Sequence, residues 1–149
     1  MECISLRYFN TYGPGENSKS QYANVIWRFI KSFHKNERPV IYGDGEQRRD
    51  FIYIDDNVKG TYLAMVKGVS GESYNIGSGN SNTFTRIYEI VKEQMHCDLE
   101  AEYVKNPLKS YQLFTQADMS KTKNDLGFIP EYDIAAGVRK MLEYDIDSI

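Results

Sequence analysis

Arg48-Arg49-Asp50 stands between the glycine turn Gly43-Asp44-Gly45 and an apolar run. In that placement a guanidinium projects from fixed backbone and can make paired hydrogen bonds to a phosphate. A surface charge cluster or an internal Arg/Asp salt bridge explains the same residues. Gly13-Pro14-Gly15, Gly43-Asp44-Gly45 and Gly77-Ser78-Gly79 all offer backbone amides to an anion. None completes G-x-G-x-x-G, because Gly79 is followed by Asn80-Ser81-Asn82, and ordinary tight turns account for each. Tyr88 and Lys92 are one helical turn apart, a spacing at which an ammonium lowers a phenol's pKa for proton abstraction. Ile87, Ile90 and Val91 commit that helix to a core, so the pair is expected to be a solvated face. Cys3 and Cys97 form no C-x-x-C, and with only His34 and His96 beside them no four-ligand zinc site can be written. His96-Cys97 follows a helix and is expected to cap or pack.

The elements that position these groups alternate along the chain. Residues 3–9 read as a buried strand ending in the turn Asn10 to Gly15. Val25, Ile26, Phe29, Ile30 and Phe33 mark an amphipathic helix between about Ser20 and His34. Short strands follow at 39–42 and 50–54. Asp55 and Asp56 are expected to cap a helix through Val58, Tyr62, Leu63 and Val66, with Gly68 and Gly71 ending it. Residues 73–76 make a further strand, and Thr83 or Thr85 caps a helix through Met95. A strand follows at 100–104, then an irregular stretch over 106–114. A short helix at 120–126 stops at Gly127, and Asp133 opens the last helix. This is an α/β chain with no internal repeat or linker.

The 149 residues carry 41% hydrophobic and 26% charged side chains, enough for one globular domain with a real core. A formal charge of −3, with Lys and Arg scattered among acids, leaves no basic stripe for nucleic acid. No apolar run approaches the roughly 20 residues that span a bilayer, and the first residues lack a signal peptide's basic region. The expected location is cytoplasmic, without a membrane partner. The apolar strand at 3–9 opens the chain with nothing before it to pair with, as if an upstream part were missing.

Taken together, three segments resemble the C-terminal half of an extended short-chain dehydrogenase/reductase, the family of NAD-dependent nucleotide-sugar epimerases and dehydratases. They are Leu6-Arg7-Tyr8-Phe9-Asn10-Thr11-Tyr12-Gly13-Pro14, the run from Tyr42 through Arg49 to Asp56, and Tyr74-Asn75-Ile76-Gly77-Ser78-Gly79. The tail Tyr111-Gln112-Leu113-Phe114-Thr115-Gln116-Ala117-Asp118 is similar to that of ADP-heptose 6-epimerases, and the middle is similar to UDP-glucose 4-epimerases.

The resemblance implies the final strands of a Rossmann-like NAD-binding domain, from residues 3–9 and about 73–76, plus a small substrate-binding lobe. The whole of 1–149 would be the C-terminal, substrate-binding part, with the N-terminal NAD-binding part absent from this chain. Tyr8 and Phe9 would lie beside the nicotinamide of NAD. Asn10 and Arg49 would hold the diphosphate of a UDP- or ADP-sugar, with Lys19 retained from the family pattern. Val40, Ile41 and Tyr42 would flank the base, and Tyr111 the diphosphate or ribose. Asp56 would be a helix cap. The family's catalytic Ser/Thr and its YxxxK precede residue 3, so Tyr88 and Lys92 are not that pair and no catalytic residue is expected here. The function implied is the gripping portion of a nucleotide-sugar epimerase, inactive alone. The rivals are an inactive nucleotide-sugar binding or assembly module, a dehydratase, and a chain whose N-terminal strand pairs with another copy.

Overall fold

The computed structural model describes residues 2–107 and 110–145, so residues 108 and 109 of the expected irregular stretch lie outside the described residues. Strand β1 (Ser5–Tyr8) runs parallel to β5 (Ser73–Ile76), with Tyr8 opposite Ile76. Among the described residues β1 pairs with β5 alone. Strand β4 (Arg48–Tyr53) is parallel to β2 (Asn10–Tyr12) and antiparallel to β6 (Ser81–Thr83). β3 (Val40–Tyr42) is parallel to β7 (Glu102–Val104). The helices are α1 (Val25–His34), α2 (Ile54–Lys67), α3 (Phe84–Gln94), α4 (Ser120–Leu126) and α5 (Ile134–Asp145), with a 3-10 helix at Glu16–Tyr22. Among the described residues no helix is long and apolar enough to cross a membrane.

Strand β4 organises the molecule because successive side chains leave a strand on opposite faces. Phe51 and Tyr53 enter a large core with Ile26, Trp27, Phe29 and Ile30 of α1, Ile87 and Val91 of α3, and Val138 and Met141 of α5. Ile52 enters a second, smaller core with Ala64, Tyr74, Ile76, Leu126 and Phe128. Each large side chain that reaches the interior contributes about 1.5–3 kcal/mol, so both cores stabilise the same strand from opposite sides.

Local signals set most boundaries. The Asn24 side chain accepts the N–H of Ile26 and caps α1, and Thr83 caps α3 through the N–H of Arg86. Asp133 accepts the N–H of Ala136 at the start of α5. His96, in the left-handed region at φ 51°, closes α3, and Cys97 packs against the large core.

Several expectations are corrected. β1 is mostly exposed, with only Leu6 half-buried, because among the described residues it pairs with β5 alone. Asn10–Tyr12 is a strand, since its backbone pairs with β4 in register Asn10 to Phe51. β6 was not anticipated, being short and polar. Asp55 and Asp56 lie inside the first turn of α2, whose cap position is Tyr53 without a side-chain bond. The buried face of α2 is Asp56, Asn57, Gly60 and Ala64, while Val58, Tyr62 and Val66 are exposed and Leu63 is half-buried.

Tyr12 is buried between α5 and the rings of Phe51 and Tyr53, which meet it edge-on at 6.4 and 5.6 Å. Gly137 in α5 lets the phenol approach so closely that a Cβ there would overlap its oxygen and stand 2.7 Å from Cζ. In an open helix Gly→Ala would stabilise by about 1 kcal/mol. Here Gly137→Ala is expected to destabilise by about 1–3 kcal/mol, read as a lower urea midpoint. A raised midpoint would show that the Tyr12 ring can move aside.

Candidate functional site

The site is built on the first half of β4. Arg49 is on the same face as Phe51, and its guanidinium carbon lies 5.9 Å from the ring centre of Phe84 and 5.2 Å from that of Tyr111. Its two terminal nitrogens donate to the backbone carbonyls of Arg48 and Gln112. No carboxylate pairs with it among the described residues, so the internal Arg/Asp salt bridge open to sequence reasoning is not formed. The guanidinium is held by two rings and two carbonyls, with its charge unneutralised. That arrangement pre-orients a planar cation for a phosphate or carboxylate.

Asp50 faces the other way and is fully buried. Its Oδ1 accepts the N–H and hydroxyl of Ser78 at 2.8 and 2.7 Å, and its Oδ2 accepts the N–H groups of Gly79 and Ala117 at 2.9 Å each. The Gly77-Ser78-Gly79 turn therefore cradles an anion, and that anion is the protein's own carboxylate. Gly77 is required by close approach. A Cβ there would stand 2.6 Å from Cβ of Ala117, 3.1 Å from Oδ2 of Asp50 and 3.2 Å from the Phe9 ring.

Through Asp50 the segment 111–117 is strapped across β4. The N–H of Arg48 donates to the carbonyl of Leu113 at 2.8 Å, and that of Thr115 to the carbonyl of Arg48 at 3.1 Å. Arg48 donates its Nε and a terminal nitrogen to the hydroxyl and carbonyl of Ser81. Gln116 bonds both Ser81 and the carbonyl of Gly79. These contacts bring Tyr111 to Arg49.

The other candidates are placed as follows. Asn10 donates its amide to the carbonyl of Asp50 at 3.0 Å, which sets it beside the Arg49 strand. Tyr8 is 51% exposed at the end of β1, within hydrogen-bond distance of the Thr61 hydroxyl. Phe9 is half-buried and donates its N–H to the carbonyl of Ile76. Lys19 pairs with Glu16, which is buried and accepts the N–H of Asn24 ahead of α1. Val40 is partly exposed, whereas Ile41 is buried in the large core and offers the surface only its backbone. Tyr42 is half-buried, its carbonyl accepting from the buried Gln47.

Two groups have structural employment. Asp56 accepts the N–H groups of Glu131 and Tyr132 at 2.9 Å each, so it clasps the chain before α5 and caps no helix. Tyr88 is buried, not solvated: its hydroxyl donates to the carbonyl of Leu99 and accepts the N–H of Ala101. Lys92 pairs with Glu100. That hydrogen bond raises the lysine's pKa and lowers the carboxyl's. The pair staples α3 to the segment leading into β7.

Sequence reasoning missed Phe84, the second ring against Arg49, and the role of Asp50. A signal for the latter was present, since an aspartate inside an apolar strand must find several donors.

The model of the NAD dependent epimerase/dehydratase family matches residues 1–77. The chain belongs to that family. A putative UDP-glucose 4-epimerase from Methanocaldococcus jannaschii is 33% identical over 97% of this chain and 46% of its own length. An ADP-L-glycero-D-manno-heptose-6-epimerase from Alkalilimnicola ehrlichii is 36% identical over 99% of this chain and 48% of its own. Among solved structures, the UDP-N-acetylglucosamine 4-epimerase of Methanobrevibacter ruminantium, in complex with UDP-N-acetylmuramic acid, superposes with a TM-score of 0.92 at 32% identity. It covers 100% of this chain and 47% of that one. The UDP-glucose 4-epimerase of Thermotoga maritima with UDP-glucose gives 0.91 at 33% identity over 99% and 47%. The chain thus spans slightly under half the length of these epimerase relatives, with the parallel β1 and β5 belonging to their Rossmann-like fold.

Asp50→Asn keeps the shape of the latch but sets an amide donor against N–H groups. It is expected to cost about 2–4 kcal/mol in urea denaturation and to speed amide exchange at Ser78, Gly79 and Ala117. Unchanged stability and exchange would show that the turn and strap hold without the charge.

Proposed function

We propose that this chain is the nucleotide-sugar-gripping portion of an NAD-dependent sugar epimerase of the UDP-hexose 4-epimerase or ADP-heptose 6-epimerase type. The observation that carries this reading is Arg49, a guanidinium fixed between Phe84 and Tyr111 with no acid paired to it among the described residues. A diphosphate supplies the missing charge in the bidentate geometry that arginine favours. Asn10, tethered to the carbonyl of Asp50, keeps its own amide oxygen free beside that position. Tyr111 closes over the diphosphate or ribose, the Val40 to Tyr42 strand borders the base, and Lys19 lies on the flank near the start of α1. Relatives in this family carry UDP-sugars, UDP-glucose and UDP-N-acetylmuramic acid among them, which supports a nucleotide sugar as ligand.

Tyr8 and Phe9 fit one wall of an NAD site. The tyrosine ring stands exposed at the carboxyl end of a parallel strand, where α/β sheets bind their ligands, and the phenylalanine ring packs on the Gly77 backbone. NAD, when bound, supplies the acceptor for a hydride from the sugar. This chain's contribution is anchoring: binding at the remote diphosphate orients the reacting carbon without touching it. Proton transfer belongs to the N-terminal half of such enzymes. That half would join at the open edge of β1 and at the exposed apolar residues Val58, Tyr62, Met65 and Val66 of α2.

Two measurements test the reading. Calorimetric titration with UDP-glucose and ADP should give binding that Arg49→Ala weakens by about 10–100-fold, the worth of a charge-assisted hydrogen-bond pair. Unchanged affinity would remove Arg49 from the site. Incubating the unaltered chain with NAD and UDP-glucose should give no epimerised sugar, and turnover would overturn its assignment as a gripping portion only.

A further inference from the structure

A second arginine makes a cation–ring contact, and the reading above gives it no role. The guanidinium carbon of Arg28, on α1, lies 5.8 Å from the ring centre of Tyr42. Two other arginines are spent on the protein: Arg38 donates to the carbonyls of Glu100 and Ala101, and Arg48 to Ser81. Arg28 is exposed, and among the described residues its guanidinium makes no hydrogen bond or ion pair. It is an exposed cation over the Tyr42 ring with its N–H donors open.

The two arginine–ring contacts are joined by a short chain of hydrogen bonds. Buried Gln47 donates its amide to the carbonyl of Tyr42 at 3.0 Å, and its own carbonyl accepts the N–H of Phe84 at 3.1 Å. Phe84 is one of the rings against Arg49. Tyr42 is further fixed by its pairing with Val104 in β7. Gln47 therefore sets the spacing between a platform at Tyr42 and a phosphate clamp at Arg49.

We infer that Arg28 is the base-side platform of a nucleoside diphosphate site, its guanidinium receiving the face of the nucleobase. Bases stack on guanidinium planes as they do on aromatic rings, and an exposed cation–π pair is weak enough to adapt to the incoming ring. Stacking is tolerant of base identity because every base has a π-face. The platform thus suits both uridine and adenosine diphosphates. This inference rests on the nucleotide-sugar reading.

The test is calorimetric titration of the full chain and its Arg28→Ala, Arg28→Lys and Arg49→Ala variants with UDP, and separately with inorganic pyrophosphate. Arg28→Ala is expected to weaken UDP about tenfold, within the range found for one base stack, and to leave pyrophosphate affinity unchanged. Arg28→Lys keeps the charge without the plane and is expected to recover less than half of that loss. Arg49→Ala should weaken both ligands. Equal UDP affinity in Arg28→Ala, or a parallel loss for pyrophosphate, would overturn the base-side role and leave the nucleotide-sugar reading standing. Absence of UDP binding by the unaltered chain would remove both.

Discussion

A buried carboxylate without partners is among the costliest groups a protein can contain, and the middle of this chain is arranged around that cost. Asp50 satisfies it with donors from two segments distant in sequence, the turn at Ser78-Gly79 and the strap at Ala117. Neither segment carries enough apolar surface to fix itself. The strap's Leu113 and Phe114 are exposed, so polar contacts, with the carboxylate at their centre, hold this part of the chain in place. The charge thereby specifies a position as much as it stabilises one.

The geometry of the clamp follows from that placement. Strand alternation turns Asp50 inward and its neighbour Arg49 to the opposite face. The inward residue fastens the strap, and the strap delivers Tyr111 and the Gln112 carbonyl to the outward residue. Anchor and guanidinium are adjacent in sequence and lie on opposite sides of one strand. The flanking rings restrict the guanidinium's orientation, which lowers the entropy lost in any charge-assisted bond it makes. Phe84 is the first residue of α3, just past the Thr83 cap, so the helix start also positions a wall of the site.

Local signals in the sequence were enough to place α1, α3 and α4, because periodicity, cap residues and a terminal glycine act within one or two turns. The assignment of residues 3–9 and about 73–76 to the final strands of a Rossmann-like domain came from family resemblance, and β1 and β5 lie there as a parallel pair. Arg49 stood out as a candidate because a charged fork follows a glycine turn, while a surface cluster or a salt bridge explained the same residues nearly as well. What sequence left hidden depends on partners far along the chain. Asp56 reads locally as a cap, yet its partners are seventy-odd residues away. Tyr88 reads as a surface phenol, yet the chain after α3 folds back to bond its hydroxyl. On α2 the face that packs inward was also hidden, since it is the small residues Gly60 and Ala64 that allow close packing, with Val58, Tyr62 and Val66 exposed.

The alternation of β4 between two cores has a consequence for how the chain finds its fold. Displacing the strand by one residue against β2 and β6 would exchange Phe51 and Tyr53 with Ile52, and would drive the Arg49 cation toward one interior while expelling the Asp50 anchor from the other. Every near-miss alignment is thus penalised twice, by mismatched volume and by misplaced charge. The register of this strand is self-checking during assembly, and a correctly aimed clamp is a by-product of correct folding.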